Sequence, residues 1–280
     1  MKIPFIKIEG LGNDYIYVER KAVSRRGLNL PALSRRMSDR RRGVGADGLI
    51  VMEYLGAGRA FMAIFNSDGS EAEFCGNGLR GTSLYLKSVV NARGNRFTIS
   101  TRWDDYQVRV MSYDGRNAIV RAMLGAPSFD PKAIGLKGRG RSCLGVAVET
   151  EEAKRLLYCV AMPNPHAVIF VDNFDFNWQK EGLALERSPF FRNRINIMFT
   201  RVDSKKRITI RPWERGSGAT SACGSGAAAA TVIASLLEYT TGDVTAVMPG
   251  GSLKTRWDIE ENMVYQEGPT RIAFSGSFIG

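Results

Sequence analysis

Two short segments, Cys75-Gly76-Asn77-Gly78 and Cys223-Gly224-Ser225-Gly226, decide the fold of this 280-residue chain. Each is a Cys-Gly-x-Gly turn followed by a stretch of helical character, which predicts helices over Leu79–Val89 and Ser225–Glu238. The second helix is apolar on nearly every face, so we expect it to be buried.

The two halves of the chain resemble each other around these turns. The turn and apolar strand of Asn13–Glu19 recur at Asn164–Asp172, an offset of 164 − 13 = 151. The two cysteines are separated by a similar distance, 223 − 75 = 148. Because several features recur in the same order at nearly the same spacing, the sequence predicts an internal duplication.

Short segments between Gly, Asn and Asp residues predict many strands and few helices. We therefore expect an α+β fold with two pseudo-symmetric halves, residues 1–120 and 121–270, and with the final strand, about residues 271–280, packed on the first half. The predicted strands are Ile3–Ile8, Tyr15–Glu19, Leu49–Tyr54, Phe61–Phe65 and Tyr106–Val110.

Composition is that of an ordinary soluble protein, with 44% hydrophobic and 24% charged residues. No apolar run approaches the roughly 20 residues that a membrane span needs. The N-terminus resembles a short strand rather than a secretory leader. We therefore expect a cytoplasmic protein without membrane association.

The four cysteines are far apart and form no Cys-x-x-Cys pair, so neither a disulfide framework nor a zinc site is indicated. His166 is the only histidine, which excludes His-rich metal clusters but not magnesium bound by carboxylates. We expect reduced thiols and no metal.

The net charge is +11, and the densest basic cluster is Arg35–Arg42. Such a cluster has two interpretations: a nucleic-acid surface, or a solvated helix end, since cations suit helix C-termini and Gly43 follows as a stop signal. No nucleic-acid-binding motif accompanies it, so the sequence favours the helix end.

A Cys-Gly-x-Gly turn before a helix has a specific chemistry. Its glycines let the backbone approach a ligand closely, and the first N–H groups of the helix form an anion site. The same positive end favours thiolate, drawing a cysteine pKa from about 8.5 toward the roughly 3.5 to 7.5 found in such settings. A matched pair of these turns therefore predicts two reactive cysteines, Cys75 and Cys223, facing a small ligand.

Motifs throughout the chain resemble those of the diaminopimelate epimerase family. They are Gly10-Leu-Gly-Asn13-Asp14, Gly43-Val-Gly-Ala-Asp47-Gly, Asn66-Ser-Asp68-Gly69-Ser70, Cys75-Gly-Asn-Gly-Leu-Arg80, Pro163-Asn-Pro-His166, Asn196, Glu214-Arg-Gly-Ser-Gly-Ala-Thr-Ser-Ala-Cys223-Gly-Ser-Gly226 and Pro249-Gly-Gly251.

The resemblance implies an enzyme that interconverts LL- and meso-diaminopimelate without pyridoxal phosphate or another cofactor, for lysine and cell-wall synthesis. It implies a homodimer. It also implies that each half of the chain is a mostly antiparallel sheet wrapped around a central helix. Cys75 and Cys223 would exchange the α-proton, one as thiolate and the other as thiol. The substrate-binding residues implied are Asn13, Asn66, Gly76, Asn77, Asn164, Asn196, Glu214, Arg215, Gly224 and Ser225, with His166 in support.

Simpler interpretations exist for several of these residues taken alone. Asn13 and Asn164 have neighbours typical of turns, Glu214 and Arg215 suit a surface ion pair, and His166 suits a structural role.

The chain also differs from the family pattern. It has Ala219 where the family commonly has Glu, Glu9 where it usually has His, Tyr15 where it usually has Phe, and Glu267-Gly-Pro-Thr270 where it often has Thr-Gly-Pro-Ala.

Two alternatives therefore accompany the leading hypothesis. One is a related cofactor-independent racemase of another amino acid, such as histidine or proline. The other is a basic protein without catalytic activity that binds nucleic acid or another anion, with steep salt dependence.

Overall fold

In the computed structural model, which describes residues 2–25, 27–137, 142–150 and 153–279, the chain divides into two units. The first extends to Met123 and includes the C-terminal residues from Glu267 onward. The second extends from Leu124 to Gln266. None of the helices in this described part of the chain is long and apolar enough to cross a membrane.

The first unit is built mainly of strands, and every strand predicted from the sequence lies within one of them. In chain order its elements are β1 (Lys2–Gly10), β2 (Asn13–Glu19), α1 (Arg20–Ser24), α2 (Leu30–Ser38), β3 (Gly48–Gly56), β4 (Arg59–Asn66), β5 (Glu71–Ala72), α3 (Gly76–Ser88), β6 (Arg96–Ser100), β7 (Asp105–Tyr113) and β8 (Asn117–Gly125).

The second unit follows the same plan. Its elements are α4 (Pro131–Ile134), β9 (Val146–Glu149), β10 (Lys154–Met162), β11 (Asn164–Phe170), α5 (Trp178–Glu186), β12 (Asn196–Ser204), β13 (Arg207–Glu214), β14 (Gly218–Ala219), α6 (Gly224–Leu236), β15 (Asp243–Met248), β16 (Gly251–Asp258) and β17 (Met263–Ile279). From Glu267 onward β17 belongs to the first unit, where it pairs antiparallel with β1.

The internal duplication extends to single elements. Helices α2 and α5, strands β3 and β12, strands β4 and β13, and helices α3 and α6 have equal lengths and begin 148 positions apart (178 − 30, 196 − 48, 207 − 59 and 224 − 76). Residues of these elements in the first unit therefore have counterparts 148 positions later in the second unit.

Strand pairing is duplicated as well. In the first unit β2 is parallel to β3 and β4 is parallel to β6, while β1–β2, β3–β4 and β6–β7 are antiparallel. In the second unit β11 is parallel to β12 and β13 to β15, while β10–β11, β12–β13 and β15–β16 are antiparallel. This confirms the predicted α+β fold with two equivalent, mostly antiparallel halves.

Helices α3 and α6 are the central helices of their units. Helix α3 packs against β1, β2, β3, β6 and β7, and α6 packs against strands β10 to β13, β15 and β16. Ala227–Ala234 of α6 is fully buried, as its apolar sequence predicts. Two buried hydroxyls at equivalent positions, Ser83 and Thr231, are satisfied by the carbonyls one turn earlier, at 2.9 and 2.8 Å.

A side chain of the sheet lies very close to helix α3 at Gly81. A Cβ at Gly81 would overlap the hydroxyl of Tyr17 and lie 2.7 Å from its Cζ. The equivalent pair in the second unit is Ala229 and Val168 (229 − 81 = 148, 168 − 17 = 151), a larger helix residue with a smaller strand residue. The first unit thus combines the smallest helix residue with a large strand residue, whereas the second unit has a larger helix residue and a smaller strand residue at the equivalent positions.

We predict that Gly81→Ala lowers the free energy of unfolding by about 1 to 3 kcal/mol, the usual cost of overpacking a filled interior. In a Tyr17→Val background the same change is expected to be neutral or stabilising, because the ring is gone and alanine favours a helix over glycine by about 1 kcal/mol. Urea unfolding of the wild type, both single variants and the double variant measures this coupling. Equal costs in the two backgrounds would show that the Tyr17 ring is not the obstacle.

Candidate active site

Each cysteine of the two predicted turns is the N-cap residue of its central helix. Cys75 and Cys223 have similar extended backbones, with φ/ψ of −149°/110° and −132°/108°. The sulfur of Cys75 accepts the N–H of Gly78 at 3.2 Å, and that of Cys223 accepts the N–H of Gly226 at 3.4 Å. Both sulfurs thus take the place of the usual Ser or Asp oxygen at a helix start.

The helices begin at Gly76 and Gly224, earlier than the predicted Leu79 and Ser225. Glycine has a low intrinsic helix propensity, so the sequence predicts that each helix begins only after one or both of the glycines. The N-cap hydrogen bonds and the surrounding sheet override that propensity. As a result, both glycines of each turn lie in the first helical turn.

Cys75 is half-buried beside three polar side chains. Burial, followed by the neighbouring Cys75 sulfur, raises the pKa of Tyr15 well above its ordinary value. Burial of Arg80 lowers its pKa to about 10, while Cys75 and Tyr17 act in the opposite direction. Arg80 therefore remains a cation at neutral pH, next to the sulfur.

Cys223 has the opposite surroundings. It is buried and lies near Glu214, whose Oε1 accepts the Thr220 hydroxyl at 2.6 Å. Burial and the Glu214 carboxylate raise the pKa of Cys223 well above its ordinary value, while Ser225 and the N–H of Gly226 act more weakly the other way. The predicted lowering of the pKa by the helix N-terminus is therefore wrong for Cys223, because burial and the Glu214 carboxylate outweigh it and favour the thiol.

The side-chain amide of Asn13 makes hydrogen bonds through both its nitrogen and its oxygen. Its Nδ2 donates to Asp47 Oδ2 at 2.8 Å, and its Oδ1 accepts Asn77 Nδ2 at 3.0 Å. Arg80 donates in turn to the amide oxygen of Asn77. The predicted binding residues Asn13 and Asn77 are therefore connected to the first turn of α3 and to Cys75.

Two arginines of the basic cluster Arg35–Arg42 make polar contacts with the loops that carry Asp14, Asp47 and Asp68. Arg40 contacts the carboxylates of Asp14 and Asp47, each at 2.8 Å, and Arg35 donates to the carbonyl of Asp68 at 3.1 Å. Although partial burial acts the other way, hydrogen bonds from Arg40 and Lys7 lower the pKa of Asp14. At least these two arginines of the cluster thus have a structural use within the chain.

Asn66 belongs to the same group of loops. It ends β4 and donates from Nδ2 to the Ser70 hydroxyl at 2.9 Å, while the next residue, Ser67, donates its N–H to the carbonyl of Asp47 at 3.0 Å. Asp47 therefore links the Asn13 and Asn66 loops.

The predicted residues of the second unit form a comparable group. Asn196 donates from Nδ2 to the carbonyl of Pro165 at 2.8 Å and accepts the N–H of Arg215 at 2.9 Å. Asn196 also pairs with His166 across the parallel β11–β12 ladder. The exposed Arg215 follows Glu214 in the chain, so this group continues to Cys223.

His166 is fully buried, and its Nε2 lies 2.9 Å from the amide oxygen of Asn164. Burial, with a smaller contribution from Arg215, lowers its pKa from 6.5 to about 3. The imidazole is therefore neutral at physiological pH and orients Asn164 rather than supplying charge.

Sequence reasoning did not identify Tyr15, Arg80, Arg40 or Asp47 as functional residues. In the sequence, Tyr15 is distinguished only as a difference from the family pattern. The alternation of β2 offers a usable signal, because Tyr15 lies on the same face as Asn13. Arg80 and Arg40 offer none, since an arginine on a helix or loop is ordinarily exposed.

Comparison with known proteins gives one consistent result. A family model described as diaminopimelate epimerase matches residues 5–129 and 158–273. Diaminopimelate epimerases of Moorella thermoacetica and Pelotomaculum thermopropionicum are 37% and 38% identical to the chain over 275 residues, covering 98% of both partners in each comparison.

Two solved structures share the fold at low identity. A phenazine biosynthesis protein of the PhzF family from Bacillus anthracis has a TM-score of 0.69 at 14% identity and covers 100% of both chains. A hydroxyproline epimerase from Agrobacterium vitis has a TM-score of 0.69 at 11% identity, covering 99% of this chain and 90% of its own.

His166 is the only histidine of the chain, and burial lowers its pKa to about 3. We therefore predict that its imidazole resonances do not titrate between pH 5 and 8 in the folded protein. The same protein unfolded in urea should titrate near 6.5. Between these two values the unfolded chain binds more protons, so the contribution of His166 to stability falls as pH decreases below about 6.5. Proton NMR measures the midpoint, and a value above 5 in the folded state would contradict the buried, neutral imidazole.

Proposed function

This chain belongs to the diaminopimelate epimerase family, and we propose that it interconverts LL- and meso-diaminopimelate by moving the α-proton between Cys75 and Cys223. Family membership makes it an isomerase. The two-cysteine chemistry is supported above all by one observation. Each unit presents a cysteine at the same place, the N-cap of its central helix, with its sulfur on the third N–H of that helix.

Inversion of a stereocentre by proton transfer needs a base on one face of the carbon and an acid on the other. In the proposed reaction the thiolate of Cys75 takes the α-proton of one epimer, and the thiol of Cys223 donates its proton to the opposite face. Cys75 is then the thiol and Cys223 the thiolate, which is the arrangement required for the reverse direction. Both sulfurs must therefore reach the same α-carbon.

The helix termini supply charge stabilisation in addition to this proton transfer. The first intrahelical bonds run from Leu79 N to the Cys75 carbonyl and from Ala227 N to the Cys223 carbonyl. Since the sulfurs accept the third N–H groups, the first two N–H groups of each helix precede the helical ladder. We assign them to the reacting carboxylate of the substrate; they belong to Gly76, Asn77, Gly224 and Ser225.

Magnitudes support this division of roles. General acid and base catalysis contributes typically 10² to 10⁴ in rate, whereas enzymes reach about 10⁶ or more. Charge flows onto the carboxylate as the α-carbon loses its proton, and a preorganised donor at such a position contributes about 2.7 to 4 kcal/mol. Several donors at two helix termini are sufficient to make up the difference.

The remaining polar residues suit the two amino-acid ends of diaminopimelate. Arg215 is exposed and can bind a carboxylate through two hydrogen bonds. Glu214 and four amide oxygens can accept an ammonium group, and these oxygens belong to Asn13, Asn66, Asn164 and Asn196. A substrate ammonium at Glu214 would also compensate the carboxylate that keeps Cys223 protonated. Substrate binding then makes Cys223 easier to ionise at the moment when it must give up its proton.

A related racemase of another amino acid is the second candidate, favoured by a single observation. Ala219 is exposed in β14, where the family commonly has Glu, and it offers no polar group to a substrate. Substrate turnover distinguishes the two candidates, because a racemase of histidine or proline would leave LL-diaminopimelate unchanged.

Incubation of the reduced protein with LL-diaminopimelate in deuterium oxide tests the proposal. We expect early deuterium in the meso product and not in recovered substrate, because the proton taken by one thiolate does not return to the same face. The NMR signal of the α-proton and mass spectrometry of both epimers measure this. Equal early labelling of substrate and product would contradict two separate bases.

Matched cysteine variants complete this experiment. Cys75→Ala and Cys223→Ala should each abolish turnover. Cys143→Ala should retain it, because Cys143 is buried beside the carbonyl of Phe129 and outside both groups of candidate residues. Full turnover in either of the first two variants would exclude that sulfur from the reaction.

A further inference from the structure

Helix α5 ends at a buried acidic residue, Glu186, of which only 3% is exposed. We propose that Glu186 is a positioning residue that fixes the turn carrying Arg215, so that this arginine can bind the second carboxylate of the substrate. This role deepens the proposed function and rests on it. The reacting carboxylate is assigned to the N–H groups of the two central helices, which leaves Arg215 for the remote end.

Three donors from different parts of the unit converge on the Glu186 carboxylate. Its Oε1 accepts the backbone N–H of Gly216 at 3.1 Å and the guanidinium of Arg194 at 3.3 Å. Its Oε2 accepts the indole N–H of Trp213 at 2.8 Å. Hydrogen bonds to a carboxylate are stronger than those between neutral groups. Glu186 therefore joins α5 both to the strand that leads into the turn and to the turn itself.

Arg215 lies in the tight turn between β13 and β14, with an anchored peptide group on either side. Its own N–H donates to Asn196 Oδ1 at 2.9 Å, and the next N–H, that of Gly216, donates to Glu186. Gly216 has a φ of 80°, a left-handed conformation that glycine adopts without strain. The backbone from which the exposed Arg215 side chain extends is thus held in one direction.

Packing of Trp213 against α5 gives the carboxylate a rigid support. Gly182 lies one helical turn before Glu186, on the same face of α5. A Cβ at Gly182 would lie 2.8 Å from Cγ of Trp213, so the indole ring rests directly on the helix backbone. The helix, the ring and the carboxylate therefore form one packed layer beneath the turn.

The duplicated fold does not itself require a carboxylate at this position. The counterpart of Glu186 in α2 is Ser38 (186 − 38 = 148), whose hydroxyl has no hydrogen-bond partner within the described residues. The equivalent turn of the first unit is held to α2 by Arg35, which donates to the carbonyl of Asp68. The carboxylate thus belongs to the unit whose turn carries Arg215, which indicates a use beyond folding.

Loss of this carboxylate should affect one end of the substrate only. Without its acceptor, the Gly216 N–H turns to water and the turn gains other conformations. The apparent affinity for a ligand that uses Arg215 then falls with the fraction of molecules whose turn is still in the binding conformation. A ligand without a second carboxylate does not use Arg215 and keeps its affinity.

Hydrogen–deuterium exchange of the protein without substrate tests whether Glu186 fixes the turn. NMR measures the exchange of the Gly216 amide in wild type, Glu186→Leu and Glu186→Gln. We expect exchange to be about 10- to 100-fold faster in Glu186→Leu, as loss of a hydrogen bond to a charged group implies. The effect in Glu186→Gln should be smaller, because glutamine keeps one acceptor oxygen, and this milder variant serves if Glu186→Leu does not fold.

Glu181→Leu is the matched control for this measurement. Glu181 is a second buried carboxylate of α5, and its two oxygens accept the guanidinium of Arg155 at 2.6 and 3.0 Å. Its loss should leave exchange at Gly216 unchanged. Equal acceleration in the Glu181 and Glu186 variants, or none in either, overturns the inference, because the turn would then not depend on Glu186.

Ligand affinity tests whether the fixed turn serves the remote carboxylate. Isothermal titration calorimetry compares 2-aminopimelate, which has a second carboxylate, with 2-aminoheptanoate, which has a methyl group in its place. We expect Glu186→Leu to weaken binding of 2-aminopimelate about tenfold or more and to leave 2-aminoheptanoate unchanged, with Glu186→Gln between Glu186→Leu and wild type.

An equal loss of affinity for both ligands, or a loss for neither, overturns the positioning role. Failure of the deuterium-labelling experiment with this affinity pattern intact would instead reject the proton transfer and retain Glu186 as the residue that positions Arg215. If wild type binds neither ligand, the proposed substrate class and the role of Glu186 in binding it are both rejected.

Discussion

The hydrogen bond between a cysteine sulfur and the third N–H of a buried helix is the constraint on which the rest of this structure depends. A side chain that caps a helix has a fixed direction, because its acceptor must lie over the first turn. The sheet of each unit packs around that helix and buries it, so the sulfur is placed by the core rather than by a loop. The glycines after Cys75 and Cys223 keep the same turn accessible to a ligand's carboxylate.

Duplication of this unit explains both what is alike and what is different in the candidate site. Backbone geometry is shared, as shown by equal element lengths and by the same order of parallel and antiparallel ladders. Side chains diverge where charge matters, with Glu214 beside Cys223 and an asparagine at the equivalent position of the first unit. A symmetric scaffold with unequal charges suits a reaction in which one sulfur must accept a proton while the other gives one.

Much of this fold could be predicted from sequence because local patterns and the repeat agree. Alternating strands, an apolar helix and two glycine turns each carry a short-range signal, and the 148-residue spacing links them. The sequence predicts a start that is too late for each central helix because propensity disfavours glycine, whereas a cysteine sulfur at the N-cap is not a usual start signal. The raised pKa of Cys223 cannot be predicted from sequence, because both its burial and its proximity to Glu214 arise only in the folded chain. Arg40, part of a run that resembles a solvated charge cluster, braces the Asn13 and Asn66 loops through Asp47.

The central claim is that Cys75 and Cys223 act on one α-carbon, so mild oxidation of the protein without substrate tests it most directly. If the two sulfurs reach one α-carbon, an added oxidant such as diamide can join them through thiol–disulfide chemistry. We predict that non-reducing peptide mapping finds Cys75 linked to Cys223, with activity lost in proportion and restored by dithiothreitol. Oxidation that leaves the two cysteines unlinked, or that links them without loss of activity, would contradict a shared site.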